Sequence, residues 1–269
     1  MQAEELLQQG ELEAALDALQ QTIRKEPSNA KWRTFLFQLL CITGDWQRAL
    51  NQLKVSADLD SIGIPMAQTY HEAIRCELFR KEVFDGLRSP LIFGDPPEWT
   101  ALLVEALRLT GQGDYAQAEI LRQQAFDQAP TTAGQIDDQP FEWIADADPR
   151  IGPVVEAIVN GRYYWIPVQR LKQVSIDAPE DLRDLVWVPA HLTFENEGEA
   201  VALLPARYPG TEAIQDSSLK LSRKTEWQQL HEELYTGLGQ KMLATDQDEY
   251  PLLGVRQIQI QSEAGIATE

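Results

Sequence analysis

Residues 140–167, PFEWIADADPRIGPVVEAIVNGRYYWIP, divide the chain. Upstream of them the apolar residues recur at helical spacing; downstream they alternate between turn signals. The stretch also carries the densest run of aromatics, Phe141, Trp143, Tyr163, Tyr164 and Trp165. Asp146 and Asp148 suit helix capping, and Pro149 and Pro153 suit a first helical turn. This predicts a helix over 152–159 stopped by Asn160-Gly161, then a strand over Arg162–Pro167. The segment reads as a hinge that docks a second domain, 136–269, onto a first, 1–135.

In the first domain one pattern repeats. Gly10-Glu-Leu-Glu-Ala-Ala-Leu, Gly44-Asp-Trp-Gln-Arg-Ala-Leu and Gly113-Asp-Tyr-Ala-Gln-Ala-Glu share glycine, an acid and a small residue. Gly10 and Gly44 are 34 residues apart, and Gly44 and Gly113 are 69 apart, close to two such periods. Pro27 and Pro130 each follow a marker glycine by 17 residues. Such a period is that of tetratricopeptide helix-turn-helix units: glycine ends one helix, the acid starts the next, and Ala14, Ala49 and Ala118 let two helices approach. Helical stripes run through Trp32, Phe35, Leu36, Leu39 and Leu40, through Tyr70, Ile74, Glu77, Leu78 and Lys81, and through Leu102, Leu103, Ala106, Leu107 and Leu109. The middle repeat lacks its glycine, and residues 58–65 and 87–97 break helices as connectors.

The second domain reads as an α+β fold with a small bent antiparallel sheet. Leu171–Ile176, 185–194 and 201–205 are predicted strands, the last two joined by a hairpin turn at 195–199. Residues 177–184 are a turn or a single helical turn, and 225–242 a helix with Trp227, Leu230 and Leu234 on one side. Residues 255–261 alternate and pair into the sheet, and 262–269 are expected to fray. The fold class is therefore multidomain: a tetratricopeptide-like helical hairpin array, then α+β.

Five blocks carry a family resemblance: Trp143-Ile-Ala-Asp-Ala-Asp-Pro-Arg-Ile-Gly-Pro, Asn160-Gly-Arg-Tyr-Tyr-Trp-Ile-Pro, Asp181-Leu-Arg-Asp-Leu-Val-Trp, Pro205-Ala-Arg-Tyr-Pro-Gly-Thr-Glu and Thr225-Glu-Trp. In this order they resemble the ImpE/SciE family, also called TagJ, accessory proteins of the bacterial type VI secretion system. The resemblance covers essentially the whole chain. It implies a non-enzymatic cytoplasmic adaptor that binds the N-terminal helix of the small contractile-sheath subunit and contacts the ClpV-type AAA+ ATPase. It brings no catalytic residues.

The residues by themselves also point to a binding protein. Helical-hairpin arrays hold peptides or helices by apolar anchors, for which Trp32, Phe37, Trp46, Phe79, Phe84 and Trp99 are available; the alternative is that they fill the core. In the second domain Tyr164, Trp165, Trp187 and Tyr208 are candidates for a partner face, or else pack internally beside ion pairs. Asp146, Asp148, Asp181 and Asp184 are the candidate carboxylates for Arg150, Arg162, Arg183 and Arg207.

An enzyme reading, a hydrolase or small-ligand protein with a pocket in the second domain, would need chemistry. His71, His191 and His231 have no metal-ligand spacing, and Cys41 and Cys76 form no Cys-x-x-Cys. Both cysteines read as buried hydrophobes in a reducing compartment. No phosphate-binding glycine loop or nucleophile elbow occurs, so no catalytic residue, metal or cofactor is expected. A self-assembling scaffold is the third alternative.

Composition sets the outer bounds. The 269 residues are 43% apolar with 8% aromatics, as in a globular protein, with no apolar run long enough to span a bilayer. The start, Met1-Gln-Ala-Glu-Glu5, predicts no secretory signal. The net charge of −19 is shared by both halves, 12 basic against 21 acidic residues up to Gln139 and 11 against 21 after it. No basic footprint for nucleic acid appears; an acidic surface favours a partner with exposed positive charge.

Overall fold

The structure is a computed structural model and describes residues 2–261; the expected fraying of 262–269 lies outside the described residues. The helical array is α1 (Gln2–Gln8), α2 (Leu12–Lys25), α3 (Ala30–Thr43), α4 (Trp46–Leu59), α5 (Ile64–Phe84), α6 (Glu98–Gly111) and α7 (Tyr115–Gln128). The three glycine-acid markers fall at the turns α1–α2, α3–α4 and α6–α7. Gly10, Gly44 and Gly113 are left-handed, with φ of 83°, 74° and 82°, and Asp45 and Asp114 accept the amides of Arg48 and Gln117. Ala49 and Ala118 are buried as expected, but in the first copy Ala15 is buried and Ala14 is exposed. The unmarked middle repeat is the long helix α5. It turns Tyr70, Ala73, Ile74, Cys76, Arg80, Val83 and Phe84 inward, so Leu78 and Lys81 of the expected stripe are exposed.

The strands are β1 (Leu91–Ile92), β2 (Gly134–Ile136), β3 (Gln139–Phe141), β4 (Ile144–Asp146), β5 (Val154–Val159), β6 (Arg162–Pro167), β7 (Leu171–Ile176), β8 (Trp187–Phe194), β9 (Glu199–Pro205), β10 (Thr225–His231), β11 (Leu234–Gly239), β12 (Met242–Thr245), β13 (Glu249–Pro251) and β14 (Gln257–Ile260). A short helix, α8 (Ser217–Lys220), precedes β10. Nine strands form one sheet in the order β1-β6-β5-β9-β8-β7-β14-β2-β3. Its pairings are antiparallel except β1 with β6. Thus the connector 87–97 lends a two-residue edge strand from the helical half. β13-β12-β4 form a second sheet and β10-β11 a separate hairpin.

Two expected helices are strands. Where a helix is expected over 152–159, Val154–Val159 form β5, paired with β6 and β9. Val154, Val155, Ile158 and Val159 are β-branched, and such side chains favour a pleated surface. Asn160 and Gly161, with φ of 49° and 69°, make the two-residue loop of a β-hairpin, as Asn-Gly characteristically does. Asp146 and Asp148 therefore cap no helix. Residues 225–242 form β10, β11 and the start of β12. Gly237 lies flat under Tyr208, where a Cβ would sit 2.2 Å from the ring. Glycines at 237 and 239 would also weaken a helix interior.

Around β5 and β6 the nine-stranded sheet is buried on both faces. Val154, Ile158, Tyr163, Trp165 and Trp187 join Leu19, Phe37, Leu40, Ile74 and Phe84 in a core shared with the helices. Ala157, Val159, Ile166, Val188, Leu192 and Leu204 point the other way, into a core closed by Leu243 and Leu252. Residues 140–167 are where the halves meet, with the β5–β6 hairpin packed against α5.

Candidate functional site

At the junction of α5 and the sheet lies a buried charge cluster. Arg80 on α5 donates from Nε and Nη2 to both oxygens of Glu156, at 2.6 and 2.9 Å, from Nη1 to Glu77 at 3.0 Å, and from Nη2 to the Arg207 carbonyl at 3.1 Å. Lys241 Nζ bridges Glu156 and Asp146, both at 2.7 Å. Tyr163 Oη donates to Glu156 and receives Trp165 Nε1 at 2.8 Å; Trp187 Nε1 donates to Glu77 at 2.9 Å. Asp146 also accepts Tyr208 Oη at 3.0 Å and the Asp148 amide at 2.9 Å. Asp148 in turn holds Arg150 at 2.6 Å and the Gly237 amide at 2.9 Å. Counting Arg207, whose carbonyl accepts from Arg80, the cluster holds four cations and four carboxylates, a balance that low-dielectric burial favours.

Electrostatics follow this geometry. Burial alone would raise the Glu156 carboxyl, but Arg80 and Lys241 hold it well below the usual range. Burial likewise opposes charge on Arg80 and Lys241, yet their carboxylate partners raise both above their ordinary values. Asp146 is pushed up, by burial first, against the pull of Lys241. Burial, then Asp146, raises the Tyr208 phenol far out of reach. The space beside Asp146, Glu156 and Lys241 is only about 30 Å³, room for roughly one water. This cluster clamps the helices to the sheet and leaves no volume for a substrate.

The expected ion pairs are rearranged. Asp148–Arg150 forms, while Asp146 pairs with Lys241. Arg207 finds no carboxylate: it donates to the carbonyls of Cys41, Ile42 and Lys220 at 3.3, 2.9 and 2.7 Å. Placed there it donates to carbonyls at the α3 C-terminus and meets the negative end of the helix dipole. Arg162 is exposed and makes no ion pair among the described residues. Asp184 lies 3.9 Å from Arg183 and accepts the amides of Glu180 and Asp181. Arg183 pairs with Asp181 at 2.5 Å and lies over Tyr70 at 4.8 Å.

Most expected partner anchors are interior. Phe37, Trp99, Trp165, Trp187 and Tyr208 are buried, so they cannot present a free surface. Trp46 tilts against Trp187 at 5.8 Å, Phe79 meets Tyr163 edge-on at 6.2 Å, and Phe84 faces Trp165 at 6.4 Å. These rings bind α3–α5 to the sheet. Trp32 is half-buried with its indole on Glu26, and Tyr164 is half-buried against Phe93. Aromatic stripes at helical spacing gave no way to tell an internal junction from a surface.

The exposed apolar surface lies elsewhere. A groove of about 480 Å³ runs between α4 and α5, floored by Leu50, Leu53, Ala57, Ile64 and Ala67 and rimmed by Lys54, Asp58, His71 and Glu72. In the connector between α4 and α5 Ile62 is 87% exposed, and Leu59 at the end of α4 is exposed as well. A second opening, about 400 Å³, lies under Trp143 and Phe126, and a more polar one of about 330 Å³ lies beside Arg170 and Lys172.

The sequence reading missed Arg80, Glu156 and Lys241 as network members. A signal existed: Glu156 is the one charge in Val-Val-Glu-Ala-Ile-Val, and Glu77 sits in an apolar helical stripe. No group of three or more His, Cys, Asp or Glu able to hold a metal occurs among the described residues. None of their helices is long and apolar enough to cross a membrane.

Comparison with known proteins fits this architecture. The family model described as ImpE protein matches residues 138–259. The chain is 52% identical over 260 residues, 96% of this chain and 90% of the relative, to the type VI secretion system accessory component TagJ of Pseudomonas aeruginosa. The crystal structure of protein VPA1032 from Vibrio parahaemolyticus superposes with a TM-score of 0.89 at 27% identity, covering 98% of this chain and 99% of that one.

Proposed function

The chain belongs to the ImpE family, and on that premise we propose that it is a non-enzymatic cytoplasmic adaptor of type VI secretion that captures a helix of the sheath machinery. The observation that carries the reading is the 52% identity along almost the full length to an accessory component of that system. The α4–α5 groove suits the role. Its apolar floor accepts an amphipathic helix at i, i+3, i+4 and i+7 spacing, and its mixed-charge rim can orient the ligand. The occupant in this reading is the N-terminal helix of the small sheath subunit. The acidic surface outside the groove is offered to a ClpV-type AAA+ ATPase, whose contact would be electrostatic and salt-sensitive.

Pull-down with the small sheath subunit, with and without its N-terminal helix, tests the reading. Loss of recovery on helix removal is expected; equal recovery defeats helix capture. Ile64→Asp places a charge at the groove on an exposed residue outside both buried cores. This variant should lose the partner and keep the wild-type melting temperature. Retained binding would move the docking site to another face. Binding of the ATPase in low salt, lost in high salt, supports the second contact, and no binding in either removes it.

A further inference from the structure

Among the described strands β10 is the most exposed. It is paired on one side with β11, and among the described residues no strand lies on its other edge. Every residue from Glu226 to His231 is exposed. It carries no proline and no lysine, the usual means of blunting an edge. The hairpin is nonetheless firmly mounted: Trp227 tilts against Tyr208 at 5.7 Å and His231 lies against Tyr115 of α7 at 5.0 Å. Its unused amides and carbonyls thus form a fixed template for one more strand.

The ends of this edge have opposite charge. Arg223 and Lys224 precede β10, and the exposed Glu232 and Glu233 follow it. An antiparallel copy turned about a two-fold axis at Gln228 brings each basic end to the other copy's acidic end. Lys224 already holds Asp216 at 2.8 Å and Glu226 at 2.5 Å, and an ammonium has a third donor to give. In this register Trp227 stands opposite Gln229 of the second copy, and Glu226 opposite Leu230, so no like charges meet within the strand. The pleat is respected too, because residues two apart share a face. The bulge between Gln229 and His231 falls near the end of the pairing, where it does not disturb the centre.

From this we propose that β10 pairs with β10 of a second copy of this chain, giving a four-stranded sheet across a two-fold axis. The inference is independent of the adaptor reading. A single strand pair is smaller than the roughly 1,200 Å² of stable interfaces, so the dimer is reversible and its population rises with concentration.

Light scattering across a concentration series should show the mass climbing from monomer towards dimer. The register is read by cysteine substitution, since Cys41 and Cys76 are both buried. Gln228→Cys places two thiols across a non-hydrogen-bonded pair, about 4.5 Å between Cα atoms, and should form a disulfide dimer under mild oxidation. Gln229→Cys and Glu226→Cys, whose own copies lie beyond the roughly 7 Å bridging limit, should not. Gln229→Pro, which removes an outward amide, should remain monomeric. Constant monomer mass for the wild type overturns the proposal, as does equal cross-linking of all three cysteine variants. The cross-linking readout stands even if the proline variant fails to fold.

Discussion

Lys241→Met tests the buried clamp most sharply. Methionine has a similar length and no charge, so the substitution removes one cation and creates little void. Glu156 keeps Arg80 and Tyr163. Asp146 keeps Tyr208 Oη and the Asp148 amide but loses the ammonium at 2.7 Å. Removing one member of a buried pair costs about 3–5 kcal/mol, against a typical total stability of roughly 5–15 kcal/mol. At about 2–4 °C per kcal/mol for a chain of this size class, the melting temperature should fall by about 6–20 °C near pH 7. The loss has a direction in pH. Asp146 is already raised by burial and rises further without its lysine, so the folded variant binds a proton that the unfolded chain does not. Stability therefore increases as pH falls from 7 towards the ordinary carboxylate value near 4. Glu156 acts in the opposite sense in acid: it is depressed, and its contribution is lost as pH drops below the unfolded value. Urea unfolding followed by tryptophan fluorescence at pH 3, 4, 5, 6, 7 and 8 measures both. A loss under about 1 kcal/mol, as for a surface pair, or a loss that does not shrink towards pH 5, would refute this account.

Gly237→Ala should destabilise by about 1–3 kcal/mol in the same urea titration, because the new Cβ would meet the Tyr208 ring and the packed core yields little; wild-type stability would mean the ring moves freely. At the β5–β6 turn Asn160→Gly should be close to neutral while Asn160→Val costs about 1–2 kcal/mol, since φ is +49° there; equal melting temperatures would count against the turn assignment. In the native protein both thiols should resist alkylation at pH 8, burial having pushed Cys76 up to about 11 and Cys41 higher still. Denaturant should release both to the reagent, and rapid labelling without it would show that α3 or α5 opens.

The helical half was legible at its turns. Gly44-Asp45 and Gly113-Asp114 terminate and restart helices through backbone geometry and a side-chain cap, both local effects that sequence order alone specifies. Strands β7, β8, β9 and β14 were legible for the same reason, because their apolar residues or their flanking turns carried a period of two. The second-domain sequence, by its five blocks, also announced the family. Tertiary structure decided the rest. Val154–Val159 lies in a sheet covered on both faces, so its apolar residues run on without alternating, and only the partners β6 and β9 distinguish it from a buried helix. Trp165 and Trp187 became glue rather than anchors because α5 happens to cross above them. Arg80, Glu156 and Lys241 come from positions 76 and 85 residues apart in the chain, and nothing in local sequence couples them. Their meeting is a property of the packed interior, where a charge without a partner is too costly to keep.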